Sequence, residues 1–212
     1  MAPVPSGGNG DKGELLSVPA FKEWAVIVHA LLEGEQILDV RKGGLHEDGR
    51  HFGLQASRVW LYPTAEHQRP ELLKPAYRQT VERAPGSVVG EPIRIDGWAD
   101  IVGVATVTEP EQLAALDSKL IWTLDYAESR LNWKKRDPLW VLAMRVHRLA
   151  ESIEVPWREE YGGCTSWVDL TDDLPDPGHL ASEPALSDTA FKARMKGVVG
   201  ALGMPLAEPA LR

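Results

Sequence analysis

The chain has 212 residues, of which 43% are hydrophobic and 25% are charged, and its net charge is −8. This composition is that of a globular protein long enough to bury one substantial core, and the negative charge argues against indiscriminate binding to nucleic acid or to an anionic membrane. The single cysteine excludes an internal disulfide and any site built from several cysteines.

A lone cysteine is also typical of a reducing compartment. No stretch approaches the roughly 18 uninterrupted apolar residues of a membrane helix, and residues 1–13 lack the apolar segment of a signal peptide. We therefore expect a cytoplasmic location and no membrane partner.

The N-terminal part of the chain is predicted to be a disordered segment followed by a helix. Residues 1–16 are rich in Gly, Pro, Ser and Asn, which bury too little surface to offset the cost of ordering. After Ser17, apolar residues from Phe21 to Leu32 recur at helical spacing, and Gly34 can end the helix in the left-handed conformation. A strand is the alternative, because residues 24–32 are also rich in Val and Ile and could pair with the next segment. The polar side of the predicted helix consists of Lys22, His29 and Glu33.

Two strands and a second helix are predicted next, over residues 36–41, 58–62 and 71–82. Pro75 must lie in the first turn of that helix or kink it. Residues 99–107 are almost all apolar and predict a central strand, and residues 139–149 alternate in the pattern of a strand that turns basic at its C-terminal end. The remaining predicted elements are strands over 93–95 and 165–170 and helices over 109–116 and 120–133.

These elements predict a single α+β domain, with a mixed β-sheet flanked by helices, over residues 17–170. The composition then shifts to Asp, Pro, Gly and Ser, which indicates an acidic linker over residues 171–187. Residues 188–212 are predicted to form a short C-terminal helix and a tail. The acidic C-terminal segment is a candidate for binding a protein partner.

Charge is distributed unevenly along the chain. Residues 130–148 contain six basic residues and one acid, whereas residues 149–190 contain ten acids and one basic residue. This asymmetry is typical of a basic binding face beside an acidic flank, and a solvated surface of uneven charge is the alternative. Arg145 and Arg148 suit bidentate capture of phosphate at a strand end, unless an internal carboxylate pairs with them.

Other short patterns also favour phosphate or nucleic acid. Two cations precede the glycine pair Gly43-Gly44, where the alternative is a tight turn after a strand. An aromatic residue beside Lys134, Lys135 and Arg136 is typical of single-strand binding. The candidate residues for binding nucleic acid or phosphate are Arg41, Lys42, His67, Gln68, Arg130, Trp133, Arg145, Arg148 and Tyr161. We expect five of them to line one concavity at the strand ends, namely Arg41, Lys42, His67, Arg145 and Tyr161.

Cys164 follows two glycines that would leave it accessible, so it is a candidate reactive thiol. A small buried apolar residue is the alternative. The loop histidine at position 67 is a candidate general base, metal ligand or helix cap.

The motif Tyr161-Gly162-Gly163-Cys164-Thr165-Ser166-Trp167 also carries a family resemblance. Together with residues 22–26, 38–44, 59–68, 73–75, 121–123 and 145–149, it resembles the uncharacterised bacterial family called domain of unknown function 1802. The resemblance runs from about residue 20 to residue 170. It implies an association with restriction-type endonuclease domains, and hence with DNA metabolism or defence.

That association raises the alternative of a PD-(D/E)xK-like nuclease that uses magnesium as its cofactor. Its candidate catalytic residues are Glu23, Asp39 and Lys42, although Lys42 comes one residue late for the (D/E)xK triplet. The leading hypothesis is a protein associated with DNA or RNA that binds phosphate through the basic residues. A non-enzymatic interaction protein is the third alternative.

Overall fold

The computed structural model describes residues 18–42, 54–84, 86–132, 138–163, 165–170 and 173–210, except for the side chain of Lys42. The strands in these ranges are β1 (Ala20–Trp24), β2 (Leu38–Lys42), β3 (Arg58–Thr64), β4 (Ile93–Val107), β5 (Leu139–Val155), β6 (Trp167–Val168) and β7 (Ser182–Pro184). The helices are α1 (Ala25–Leu32), α2 (Thr80–Arg83), α3 (Pro110–Ala115), α4 (Leu124–Asn132) and α5 (Asp188–Leu202). Short 3-10 turns lie at Pro70–Leu72, Pro75–Tyr77, Asp117–Lys119, Glu159–Tyr161 and Pro177–His179.

The described strands form one mixed sheet in the order β2-β5-β4-β3-β1-β6, with β7 paired to β5. Strands β1 and β3 run parallel, and the other named pairs are antiparallel. The prediction of an α+β fold with a mixed sheet is confirmed. Residues 1–16, which were predicted to be disordered, lie outside the described ranges.

The sheet curves strongly, and this curvature brings distant strands together. Strands β5, β4 and β3 separate β2 from β1 in the order of the sheet. Nevertheless, Arg41 on β2 donates a hydrogen bond to the carbonyl oxygen of Lys22 on β1, at 2.6 Å. The ends of β1 and β2 therefore meet across the interior of the curved sheet.

The prediction of a continuous helix through residues 21–34 is wrong for its first part. Residues 20–24 form β1, which pairs with β3 on one side and with β6 on the other. A strand flanked by two others and covered on both faces lacks polar alternation, so its sequence resembles a buried helix. The helix begins only at Ala25, and Gly34 after it has φ of 68°, the left-handed conformation that was predicted.

The predicted helix over residues 71–82 is also wrong. Two 3-10 turns that begin at Pro70 and Pro75 lie there, and only Thr80–Arg83 is α-helical. Proline lacks the N–H that an interior helical position donates, so the helix does not propagate through Pro70 and Pro75.

The central strands are longer than predicted. Residues 93–107 form the single strand β4, which continues through two register shifts. Strand β5 runs on to Val155 through residues whose side chains are largely exposed. The first register shift lies between Ile95 and Gly97. At Gly97, an added Cβ would overlap the carbonyl oxygen of His147.

The C-terminal segment contacts the sheet. Residues 182–184, within the range predicted as a linker, form β7 and pair with β5. Ser187 accepts a hydrogen bond from Ala190 N and caps α5, whose Val198 and Leu202 are buried in the larger of two hydrophobic clusters. The smaller cluster includes Trp60 and Tyr161. None of the helices in the described ranges is long and apolar enough to cross a membrane.

Candidate functional site

Five charged residues meet where β1, β2 and β3 end, and we call them the charge cluster: Lys22, Glu23, Asp39, Arg41 and Glu66. Because β1 and β3 are parallel, their carboxyl ends meet at one edge, and the curvature of the sheet adds the end of β2. Burial of so many ionisable groups is costly unless they pair with one another. The stability of the cluster therefore depends on the contacts between these side chains.

Arg41 is the centre of the cluster. Its Nε donates to Asp39 Oδ2 at 2.9 Å, and one of its terminal nitrogens lies 2.7 Å from Glu23 Oε2. The guanidinium plane also lies over the ring of Phe21, 4.2 Å from the ring centroid. The exposed fraction of the side chain is 12% for Arg41, 9% for Glu23 and 0% for Asp39. One buried cation thus neutralises two carboxylates only in part.

The incomplete neutralisation affects the pKa of Glu23. Burial raises the pKa of Glu23 from 4.5 to about 7; Arg41 opposes the rise and the neighbouring Asp39 carboxylate adds to it. The Glu23 and Asp39 side chains are within hydrogen-bonding reach of each other, and two carboxylates can make that bond only when one carries a proton. Asp39 Oδ1 is buried and has no other hydrogen-bond partner among the described residues. A proton on Glu23 would satisfy it.

Lys22 organises the other side of the cluster. Its Nζ donates to the carbonyl oxygens of Tyr161 and Gly163, both at 2.9 Å, and to Glu66 Oε2 at 3.3 Å. These three acceptors match the three donors of an ammonium group, and only 4% of the Lys22 side chain is exposed. Lys22 was expected on the solvent-facing side of a helix; instead it is buried and holds the 161–163 loop against β1.

The sequence interpretation missed Lys22 and Glu66. The available signal was a lysine between Phe21 and Glu23 in a segment that is otherwise apolar. A strand buried on both faces leaves such a lysine only internal acceptors. Nothing in the sequence indicated that Glu66 would be one of them.

The loop after β3 meets the N-terminus of α1. Gln68 Oε1 accepts a hydrogen bond from Val26 N at 3.0 Å, so Gln68 satisfies one of the unpaired N–H groups in the first turn of α1. His67 is exposed and has φ of 60°, in the left-handed region. Both residues thus lie beside the charge cluster.

Helix α4 lies beside the cluster, since the charges of Glu23, Arg41 and Asp39 act on its Tyr126. The ring of Tyr126 stacks on Trp24, with centroids 5.7 Å apart and an interplanar angle of 14°. Burial raises the pKa of Tyr126, and Arg130 opposes this rise, which places Arg130 near the same ring. Two partly buried aromatic rings and a cation therefore lie beside the charge cluster.

Arg145 and Arg148 lie elsewhere. Arg145 donates to Asp188 Oδ1 at 2.6 Å, and Arg148 donates to Glu183 Oε1 at 2.9 Å. Trp140 is the β5 residue opposite Arg41, and Arg145 comes five residues later, about 16 Å along the strand at the usual rise. The predicted concavity therefore does not include Arg145, because its strand carries it away from the end of β2.

Tyr161 joins the site only through its backbone. Its carbonyl oxygen accepts from Lys22, whereas its hydroxyl donates to Asp173 Oδ2 at 2.5 Å, and burial raises the pKa of the phenol. Trp133, Cys164 and the side chain of Lys42 lie outside the described residues. The structure thus brings Arg41, His67, Gln68, Arg130 and the Tyr161 backbone to one region, together with Glu23 and Asp39.

The positions of Glu23 and Asp39 also bear on the nuclease hypothesis. Both carboxylates contact Arg41, which supplies part of the positive charge that a magnesium ion would otherwise provide. Among the described residues, no group of three or more His, Cys, Asp or Glu side chains is arranged to hold a metal ion.

Comparison with known proteins identifies the family. The family model described as domain of unknown function (DUF1802) matches residues 20–197. The chain belongs to this family. The DUF1802 match spans the whole charge cluster as well as β7 and most of α5. No curated protein matches the sequence.

Two solved structures show a weak similarity to this DUF1802 chain. ASCH from Zymomonas mobilis has 9% sequence identity and a TM-score of 0.39, with 85% of this chain and 94% of that chain covered. A mutant ZmASCH protein from the same organism has 10% identity and a TM-score of 0.38, with 85% and 95% covered. At such low TM-scores, neither similarity carries an inference about the site.

Proposed function

We propose that this protein binds single-stranded nucleic acid at the edge formed by the ends of β1, β2 and α4. The proposal rests mainly on the two described elements that flank the basic stretch of the sequence. Helix α4 ends at Asn132 and β5 begins at Leu139, which pairs with Lys42 at the end of β2. Three cations, Lys134, Lys135 and Arg136, come between these two elements in the sequence.

The aromatic rings of this edge support a single strand as the ligand. Trp24 and Tyr126 are partly buried and stack on each other, and Arg130 lies near the tyrosine. Proteins that bind single strands without strict sequence preference combine stacking rings with cations that contact the phosphates. The overall charge of −8 confines such binding to a local basic surface.

Arg145 and Arg148 contribute less in this proposal than the sequence alone suggested. Each is already paired with an exposed carboxylate, and a phosphate would have to displace that carboxylate. An association with restriction endonucleases stays a prediction from the family resemblance. A protein partner for residues 171–212 also stays a prediction.

A binding measurement tests the proposal. Fluorescence anisotropy with labelled single-stranded RNA and DNA at low salt should show binding that weakens as salt rises. The triple variant Lys134→Ala, Lys135→Ala, Arg136→Ala should bind more weakly, and its log–log salt slope should fall by up to about 0.7 for each lost phosphate contact.

The matched control removes three exposed cations from elsewhere: Arg94→Ala, Lys192→Ala and Lys196→Ala. It has the same net charge as the first variant, so it should retain binding if the site is local. An equal loss in both variants would mean that binding follows net charge alone. No binding of the wild-type protein to either strand at low salt would contradict the proposal.

The nuclease alternative is kept because Glu23 and Asp39 do lie together. It requires magnesium-dependent cleavage of the same strands and loss of cleavage in Asp39→Ala. Intact strands after incubation of the wild-type protein with magnesium would exclude it and leave the binding proposal unaffected.

A further inference from the structure

The charge cluster changes its net charge when one proton is added. With every group ionised, the cations Lys22 and Arg41 face three carboxylates, which leaves one negative charge in excess. With a proton on Glu23, the cluster is neutral. A phosphodiester brings its own negative charge, so the neutral form is the one that accepts it at lower electrostatic cost.

The two carboxylates that contact Arg41 are not equivalent. The Asp39 side chain is fully buried and holds the Nε edge of the guanidinium, whereas Glu23 holds a terminal nitrogen and retains some exposure, as does Arg41 itself. Glu23 is therefore the partner that a phosphate oxygen can replace. A displaced, protonated Glu23 can donate to Asp39 Oδ1, which has no other hydrogen-bond partner among the residues that the structure describes.

We propose that a phosphate of the bound strand replaces Glu23 as a partner of Arg41, and that Glu23 takes up one proton from solvent and donates it in a hydrogen bond to Asp39. This inference rests on the proposed function and adds its regulation, namely that binding strengthens as pH falls. No covalent bond changes. One proton and one phosphate group are bound together.

The groups around Glu23 are consistent with this exchange. The backbone N–H of Trp24 donates to Glu23 Oε1 at 2.6 Å, so one oxygen stays anchored while the other leaves Arg41. Tyr126 on α4 remains neutral near pH 7, since burial raises the pKa of its phenol. On the far side of the charge cluster, the charge of Lys22 is compensated by Glu66, whose Oε2 lies 3.3 Å from Lys22 Nζ. Burial thus brings the charge change of Glu23 close to neutral pH.

The test is binding of a labelled single strand as a function of pH at constant ionic strength. Wild-type affinity should be level below about pH 7 and should fall by up to about tenfold per pH unit above it, as uptake of one proton requires. Calorimetric titration in buffers of different ionisation enthalpy should show that close to one proton is taken up per strand bound above that pH.

Two variants identify the titrating group. Glu23→Gln mimics the protonated side chain, so its affinity should be nearly independent of pH in this range. His67→Gln is the control for a second ionisable side chain beside the charge cluster, and it should keep the wild-type pH profile. Asp39→Asn should move the decline to lower pH, because it removes a charge that raises the pKa of Glu23.

The possible results separate this inference from the proposed function. Binding with no pH dependence, or an unchanged pH profile in Glu23→Gln, would overturn the proton linkage and leave nucleic-acid binding intact. Loss of the profile in His67→Gln would assign the proton to the histidine instead. Absence of binding at every pH would remove both proposals.

Discussion

The raised pKa of Glu23 makes the stability of the folded protein depend on pH. In the unfolded chain Glu23 titrates near its ordinary pKa of 4.5, whereas in the fold its pKa is about 7. Between these values the folded state binds more protons than the unfolded state, so the free energy of unfolding must fall as pH rises. Glu23→Gln has no proton to lose and should be free of this decline.

The magnitude follows from the two pKa values. Raising the pH from about 5 to about 8 should cost the wild-type protein about 2.5 kcal/mol of stability through Glu23 alone. Less than a tenth of the side chain is exposed, so solvent screens this effect only weakly. All other titrating groups are shared by the wild-type protein and Glu23→Gln, and their contributions cancel in the difference.

Urea denaturation of both proteins at several pH values measures this difference directly. Glu23→Gln should gain about 2.5 kcal/mol relative to the wild-type protein between about pH 5 and about pH 8. A difference that stays constant across this range would show that Glu23 has an ordinary pKa in the fold, and the reasoning about the charge cluster would be refuted.

Other parts of the structure give further predictions, each with a matched control. Lys22→Met should destabilise the protein by about 3 kcal/mol, because two carbonyl oxygens and the Glu66 carboxylate lose their buried donor. Lys192→Met on the exposed face of α5 should cost less than about 0.5 kcal/mol in the same urea assay. Gly97→Ala should cost about 2 kcal/mol, since the new methyl group overlaps the carbonyl oxygen of His147 in β5. Gly200→Ala should instead stabilise by about 0.5–1 kcal/mol, because the position is helical with open space around it. Equal effects of the two alanine substitutions, or of the two methionine substitutions, would contradict these packing arguments.

The sequence alone predicts a strand where apolar and polar residues alternate clearly along the segment. Strand β5 alternates clearly over residues 139–149, so its existence follows from periodicity, but its extension to Val155 depends on pairing with β4 that no local pattern records. Strand β1 was missed because a strand buried between two neighbours lacks alternation. Whether this segment forms a strand depends on its pairing with β3 and β6, which the local sequence does not record.

For the same reason, only part of the candidate site could be predicted from the sequence. Glu23, Asp39 and Arg41 were each singled out, but as members of different hypotheses, because the curvature that brings β1 to β2 cannot be inferred from either strand. Arg145 was grouped with them from its charge and its place near a strand end. Its position in the register of β5 separates it from them.

The most direct test of the site is a two-dimensional proton–nitrogen NMR titration with a single-stranded oligonucleotide near pH 6. We expect the signals of the Arg41 Nε–H group, the Trp24 indole N–H and the Tyr126 amide to shift together as the strand is added. The amides of α5, on a different part of the sheet, should stay unchanged. Shifts confined to α5, or no shifts at Arg41 and Trp24 while the strand is bound, would contradict a binding site at the charge cluster.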